Sequence, residues 1–255
     1  DELVTISATA DASPGTHTVS FNDSSQLAKA RQLSSMSFTS STDALSLVGE
    51  FVINGKNINI STSDSLSDII SAINTANSGT DATGVTASLI SVSDTDNRMV
   101  LTSDSTGKDA FTLLDASSDA QDILEAGLGL ASATKSIKNT TSDGAKSEAF
   151  SSSSSAVKSL LGLTTAQNGT VVIGGENVVI DLATESLSTI ATNINTALTG
   201  ASKGTATVVS TTTDGVTTYQ IDVSGTTSFT DTNNILETLG IIERAQNSVA
   251  EVHTG

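Results

Sequence analysis

One segment of this chain is written twice, and that duplication limits its folds more than any other feature. Gly49-Glu-Phe-Val-Ile-Asn-Gly-Lys-Asn-Ile-Asn-Ile60 returns as Gly169-Thr-Val-Val-Ile-Gly-Gly-Glu-Asn-Val-Val-Ile180, 120 residues on. After a one-residue insertion, Leu66, Ile69, Ile73 and Asn74 answer Leu187, Ile190, Ile194 and Asn195. Met99–Ser103 then stands opposite Tyr219–Val223, and Ile123-Leu-Glu125 with Leu128-Gly-Leu130 opposite Ile235-Leu-Glu237 with Leu239-Gly-Ile241. Two diverged copies of one module account for most of the chain.

Each copy spells hairpin, helix, hairpin. Asn54-Gly55 is a two-residue turn signal, because a type I′ turn needs positive φ at both central positions, and Gly174-Gly175 offers the same freedom. Phe51, Ile53, Ile58 and Ile60 keep the period-2 spacing of one strand face, as do Val171, Ile173, Val178 and Ile180. Leu66, Ile69, Ile70 and Ile73 then fall at i, i+3, i+4 and i+7, as do Leu187, Ile190, Ala191 and Ile194 in the second copy, where Leu198 continues the stripe. Asp64 or Ser65, and Ser186, suit the N-cap positions. Second hairpins are predicted over 85–92 with 98–103 and over 205–213 with 216–223, the latter turning at Asp214-Gly215. The predicted class is α+β and β-rich: two similar modules of β-hairpins, each covered by one amphipathic helix. Once those helices are spent, no apolar stripe is left over for a large interface.

The predicted organisation has a first domain over 1–135, made of leading strands (1–48) and the first module (49–130). A Ser-rich linker or loop follows at 136–155, since that stretch is too polar to hold itself together. The second module occupies 156–242, and an exit segment, 243–255, is placed back against the first domain. In the leading segment Pro14-Gly15 marks a turn, Thr16–Phe21 is strand-like, and Lys29 and Arg31 give 27–33 a basic character. That short stretch reads equally as a contact for an acidic neighbour or as a solvated strand end.

Composition narrows the function classes. The chain carries 28 acidic and 11 basic residues, a net charge of −17, which repels nucleic acid and anionic membrane surfaces. No run of about 18 apolar residues exists to span a bilayer, and no signal peptide is evident. With no cysteine there is neither a disulfide framework nor a thiolate site. Aromatic residues make up only 3%, so the cores must be built from Val, Ile, Leu and Ala. The two histidines, His17 and His253, lie near opposite ends, and no Gly-x-Ser-x-Gly elbow accompanies the many serines. Asp94-Thr-Asp-Asn97 lacks the glycine and the terminal glutamate of a calcium loop and reads as a solvated turn. Asp119 and Asp122 read as first-turn charges of a short helix, and Gly127-Leu-Gly129 as a helix stop. The expectation is no catalytic, cofactor-binding or metal site, and no cofactor.

Val52-Ile-Asn-Gly55, Ile58-x-Ile60 and Ser65-Leu-Ser-Asp-Ile-Ile-x-x-Ile-Asn74 together resemble the "IN" motif of bacterial flagellar axial proteins, and Val172 to Asn195 repeats it with Gly174 in place of Asn. The stretch from Ala12 through Gln26-Leu-Ala28 is similar to the head-boundary signature of the flagellar filament cap family, the hook-associated protein 2 family, although His17 stands where that family has Tyr and a Ser-Ser insertion precedes Gln26. The heptad-patterned ends of that family are missing, so the chain reads as its head region. The resemblance implies a non-enzymatic scaffold at the extracellular tip of the flagellum, exported through the flagellar type III pathway without a cleavable signal. It implies a ring-like homo-oligomer of the intact protein and flagellin as partner, with filament elongation as the role. For some bacteria the resemblance also implies adhesion through the exposed head, with host surface glycans or mucin as partners. The alternatives are an outer domain of another flagellar axial protein (flagellin or hook–filament junction protein) and a non-flagellar extracellular adhesin module.

Overall fold

The computed structural model describes residues 29–106, 111–118 and 121–246. The leading turn and strand, His17, His253, Asp119 and residues 247–255 lie outside the described residues. In chain order the first half holds β1 (Ala30–Ser34), β2 (Gly49–Ile53), β3 (Lys56–Ile60), α1 (Leu66–Ala76), β4 (Val85–Ser93), β5 (Asp96–Thr106), β6 (Leu113–Asp115) and one π-helical turn, Ile123–Gly127. After it come β7 (Ala131–Ile137), β8 (Asn139–Thr140), β9 (Gly144–Lys146), α2 (Val157–Leu161), β10 (Asn168–Ile173), β11 (Glu176–Asp181), α3 (Leu187–Gly200), β12 (Thr205–Thr213), β13 (Val216–Ser224), β14 (Phe229–Thr230), α4 (Ile235–Thr238) and β15 (Ile242–Gln246).

The turns obey the local chemistry. Asn54 and Gly55 take φ of 47° and 79°, and Gly174 and Gly175 take 60° and 82°. These left-handed pairs close β2–β3 and β10–β11 in register, with Ile53 opposite Lys56 and Ile173 opposite Glu176. Ser65 caps α1 through the Asp68 N–H while the Asp68 carboxylate accepts from the Ser65 N–H, a reciprocal capping box. Ser186 caps α3 through the Thr189 N–H. Leu66, Ile69 and Ile73 point into the first core, and Leu187, Ile190, Ala191, Ile194 and Leu198 into the second. Both apolar stripes are therefore helical, and the second hairpins form as β4–β5 and β12–β13.

The strands make several small antiparallel sheets with orders β1-β5-β4, β3-β2-β6, β12-β13-β9-β8, β11-β10-β14 and β15-β7. One buried cluster gathers Leu33, Phe51, Ile53, Ile60, Leu66, Ile73, Met99 and Leu101, and a second gathers Val171, Ile173, Ile180, Leu187, Ile194, Ile221 and Leu239. Val52, Leu114 and Ala116 belong to the second cluster although they come from the first half of the chain. The face of β2 opposite α1 thus packs on the neighbouring module.

The Ser-rich segment 136–155 is where the structure differs from the sequence reading. It holds β8 and β9, and β9 adds to the β12–β13 hairpin with Ala145 opposite Val223. Ser147 donates its N–H to Ile221 O while its Oγ accepts from the Ile221 N–H, and Phe150 bridges Tyr219. In the first half, Ser35 does the same with Met99, and Phe38 bridges Asn97. The repeat is therefore longer than the apolar pattern revealed: Ser35/Ser147, Phe38/Phe150 and Ala44/Ala156 all match at one spacing. Few apolar residues are needed because backbone pairing to an existing sheet, with two anchoring side chains at Ala145 and Phe150, orders the segment. The serines then cap its turns, as Ser152 Oγ does for the Ser154 and Ser155 N–H groups.

The end of each module is a strand, and the two pair with each other: β15 runs antiparallel to β7, with Ile242 opposite Ile137 and Gln246 opposite Ala131. Arg31, from the basic stretch, is engaged within the chain. Arg31 lies over the Phe111 ring, its centre 5.2 Å from the centroid, and donates to Phe111 O and Gln246 Oε1.

Candidate functional site: the motif edge and the module junction

The Ile-Asn pair that ends each motif has two separate jobs. Ile73 and Ile194 are fully buried beneath their helices. The following asparagines reach sideways to an edge strand. Asn74 Nδ2 donates to Ala87 O at 2.9 Å, and its Oδ1 accepts from the Ala87 N–H at 2.8 Å. Asn195 Oδ1 accepts from the Ala206 N–H at 3.0 Å. β4 and β12 are the outermost strands of their sheets, so each Asn satisfies backbone groups that would otherwise stand open to another chain. An amide suits this, since it offers donor and acceptor together and imitates a neighbouring strand. Asn77 extends the cover at the start of β4, accepting from the Gly84 and Val85 N–H groups.

Past Ala87 that cover ends. Leu89, Ile90 and Val92 are 40%, 47% and 67% exposed along a strand with no charged residue between Val85 and Ser93. This hairpin arm is an apolar surface left over after the helices are accounted for, contrary to the expectation from the periodic pattern. Strand length explains the difference: β4 is nine residues, and α1 covers only its first part.

Among the described residues, two polar clusters with buried carboxylates lie where the modules meet. At the first, the Glu50 carboxylate is buried and has no basic partner. It accepts from the Thr164 N–H at 2.9 Å, the Thr165 N–H at 2.7 Å, Asn57 Nδ2 at 2.7 Å and the hydroxyls of Thr164 and Thr165. Burial alone would raise its pKa, but the bonds from Thr164 and Thr165 outweigh that and hold the carboxyl below its usual range.

At the second, Arg244 on β15 is almost fully buried among carboxylates of both modules. Its Nε donates to Glu237 Oε2 at 3.2 Å, and Nη1 to Asp122 Oδ2 at 3.2 Å and Glu125 Oε2 at 3.1 Å. Nη2 donates to Asn234 Oδ1 at 3.2 Å, and Lys135 Nζ reaches the same oxygen and lies 3.6 Å from Glu237. Asp115, also fully buried, accepts from the Ser117 and Leu124 N–H groups, while its own N–H donates to Glu237 Oε1. Desolvation pushes the Glu237 carboxyl up to about 7, Asp115 adding to the rise and Arg244 opposing it. Desolvation raises Asp115 too, and Glu125 is raised chiefly by its hydrogen bond with Asp122.

Asp94–Asn97 forms the β4–β5 turn, where Asp96 pairs with Arg98 at 2.8 Å, and Asp214-Gly215 is the β12–β13 turn with φ of 51° and 81°. Asp122 caps the π-helical turn through the Glu125 N–H. A cleft of about 650 Å³ runs beside Lys135, Arg244, Phe229 and Asp231. Among the described residues no group of three or more His, Cys, Asp or Glu is placed to hold a metal, and no helix is long and apolar enough to cross a membrane. Sequence reading missed Glu50 and Arg244. The one available signal was an acidic residue amid apolar strand positions.

Comparison with known proteins places the motif in a class first. Residues 50–105 match the family described as the flagellin hook IN motif. No curated protein sequence matches the chain. Among solved structures, the chain is similar to the D2-D3 domains of the flagellar cap protein FliD from Escherichia coli, at 20% identity over 86% of this chain and 84% of that one, with a TM-score of 0.32. It is also similar to the D1-D2-D3 domains of that protein, at 20% identity over 84% of this chain and 49% of that one, with a TM-score of 0.34. The flagellar cap protein FliD from Helicobacter pylori matches at 16% identity, over 81% of this chain and 57% of that one, with a TM-score of 0.31. Likenesses at these scores carry no weight for function.

Proposed function

We propose that this chain is the head of a flagellar axial scaffold of the filament-cap type, with no enzymatic activity. The carrying observation is the flagellin hook IN motif at 50–105, repeated in the second module with the same hairpin, capped helix and edge-covering asparagine. The cap-like leading sequence from Ala12 to Ala28 supports the cap over other axial proteins. In this reading the polar junctions join the two modules into one head, and the exposed surfaces meet flagellin and neighbouring copies at the extracellular tip. The parent protein would form a ring-like homo-oligomer that caps the filament and promotes flagellin polymerisation.

Immunogold electron microscopy of the source bacterium, with antibody raised against this chain, tests the proposal. Label confined to filament tips is expected. Label along the filament would assign the chain to flagellin, label at the filament base to a junction protein, and label on the cell body to an adhesin, each overturning the cap reading.

A further inference from the structure

Among the described residues, the charged groups at the second junction do not balance. Four carboxylates crowd the site: Asp115 from β6, Asp122 and Glu125 from the π-helical turn, and Glu237 from α4. Two cations face them, Arg244 from β15 and Lys135 from β7. Asp231 is committed elsewhere, accepting from the Leu236 and Glu237 N–H groups at the start of α4, and Glu243 sits beside Arg244 on β15, where successive side chains alternate. β10, which also packs on α4, brings no titratable residue. Asp115, Glu237 and Arg244 are each at most 4% exposed, so water screens little of the repulsion between those two carboxylates, while the Asp122 and Glu125 side chains reach solvent at 18% and 36%. Asp115 and Glu237 lie on opposite sides of the junction and touch through the Asp115 N–H.

We propose that this cluster is a proton-operated latch between the two modules: holding a proton, it fastens α4 to β6, and losing it, the junction loosens. Acids crowded around a buried carboxylate raise the cost of ionising it, so it retains a proton, as paired acids do elsewhere. The elevated Glu237 value sets the range in which this happens. Its carboxyl binds a proton more tightly folded (about 7) than unfolded (near 4.5), so the stabilisation is complete below about 4.5 and is gone above about 7. That gap corresponds to a loss of roughly two to three powers of ten in the closing equilibrium. The latch is a property of this junction and does not depend on the flagellar reading.

Hydrogen exchange of the 255-residue chain from pH 4.5 to 8.5, corrected for intrinsic rates, tests it. Protection at the Asp115 and Leu124 amides should fall with rising pH, while Val171 and Val178, in the β10–β11 hairpin, should hold steady. Glu237→Gln should flatten the dependence. Lys135→Met, which removes a cation that favours the ionised form, should move the midpoint to higher pH. Should Glu237→Gln fail to fold, wild type and Lys135→Met still decide. Junction protection independent of pH, an equal fall in the hairpin, or an unmoved Lys135→Met midpoint would overturn the latch.

Discussion

Replacing Glu50 by Gln isolates the other junction, where a carboxylate without a counter-ion is held by hydrogen bonds alone. Oε1 accepts from the Thr165 N–H and the hydroxyls of Thr164 and Thr165, and Oε2 from the Thr164 N–H and Asn57 Nδ2. Glutamine keeps one carbonyl oxygen and presents an NH₂ where the other oxygen stood. At least one backbone N–H then faces a donor, which costs about 1–3 kcal/mol, and the remaining bonds lose their charge assistance. The sum is about 3 kcal/mol at neutral pH. Because the folded carboxyl titrates below its ordinary value, its stabilisation is present above the usual carboxylate range and is lost as pH falls through the lowered value. The wild-type advantage should therefore vanish in strong acid. Urea unfolding at pH 7 and pH 2 measures both limbs. Far-UV circular dichroism follows the whole chain, while fluorescence of Tyr219, the single tyrosine, follows the second module. The two midpoints should separate in the variant, since Glu50 ties β2 to the loop after α2. A cost under 0.5 kcal/mol at pH 7, or a difference undiminished at pH 2, would refute the reasoning.

Asn74→Ala strips the Ala87 N–H and carbonyl of their partner; a loss of about 1–3 kcal/mol is expected by urea unfolding. Light scattering on the same variant should show association rising with concentration, because the open edge of β4 lengthens. Ile194→Ala removes a fully buried side chain and should cost about 2–5 kcal/mol by the same unfolding assay. Calcium, zinc or EDTA should leave the melting temperature unchanged; a rise of several degrees with a metal would reveal a binding site.

Local rules carried the sequence far because its strongest signals are short-range. The Asn54-Gly55 and Gly174-Gly175 turns, the Ser65 and Ser186 caps and the helical stripes depend on residues within a few positions, and they sit where those residues dictate. Sequence repetition also foretold that both modules share one element order. What it missed depends on distant partners. The Ser-rich stretch lacks an apolar period, yet it becomes β8 and β9 because an unpaired edge of β13 supplies the hydrogen bonds. Lys135, Arg244 and the four carboxylates are ordinary charged residues along the chain. Only the pairing of β7 with β15, and of β2 with β6, brings them together. Asn74 shows the division within one residue. Helical period alone set its place on α1, while its role came from β4, thirteen residues on, returning as an edge strand whose backbone needed a partner.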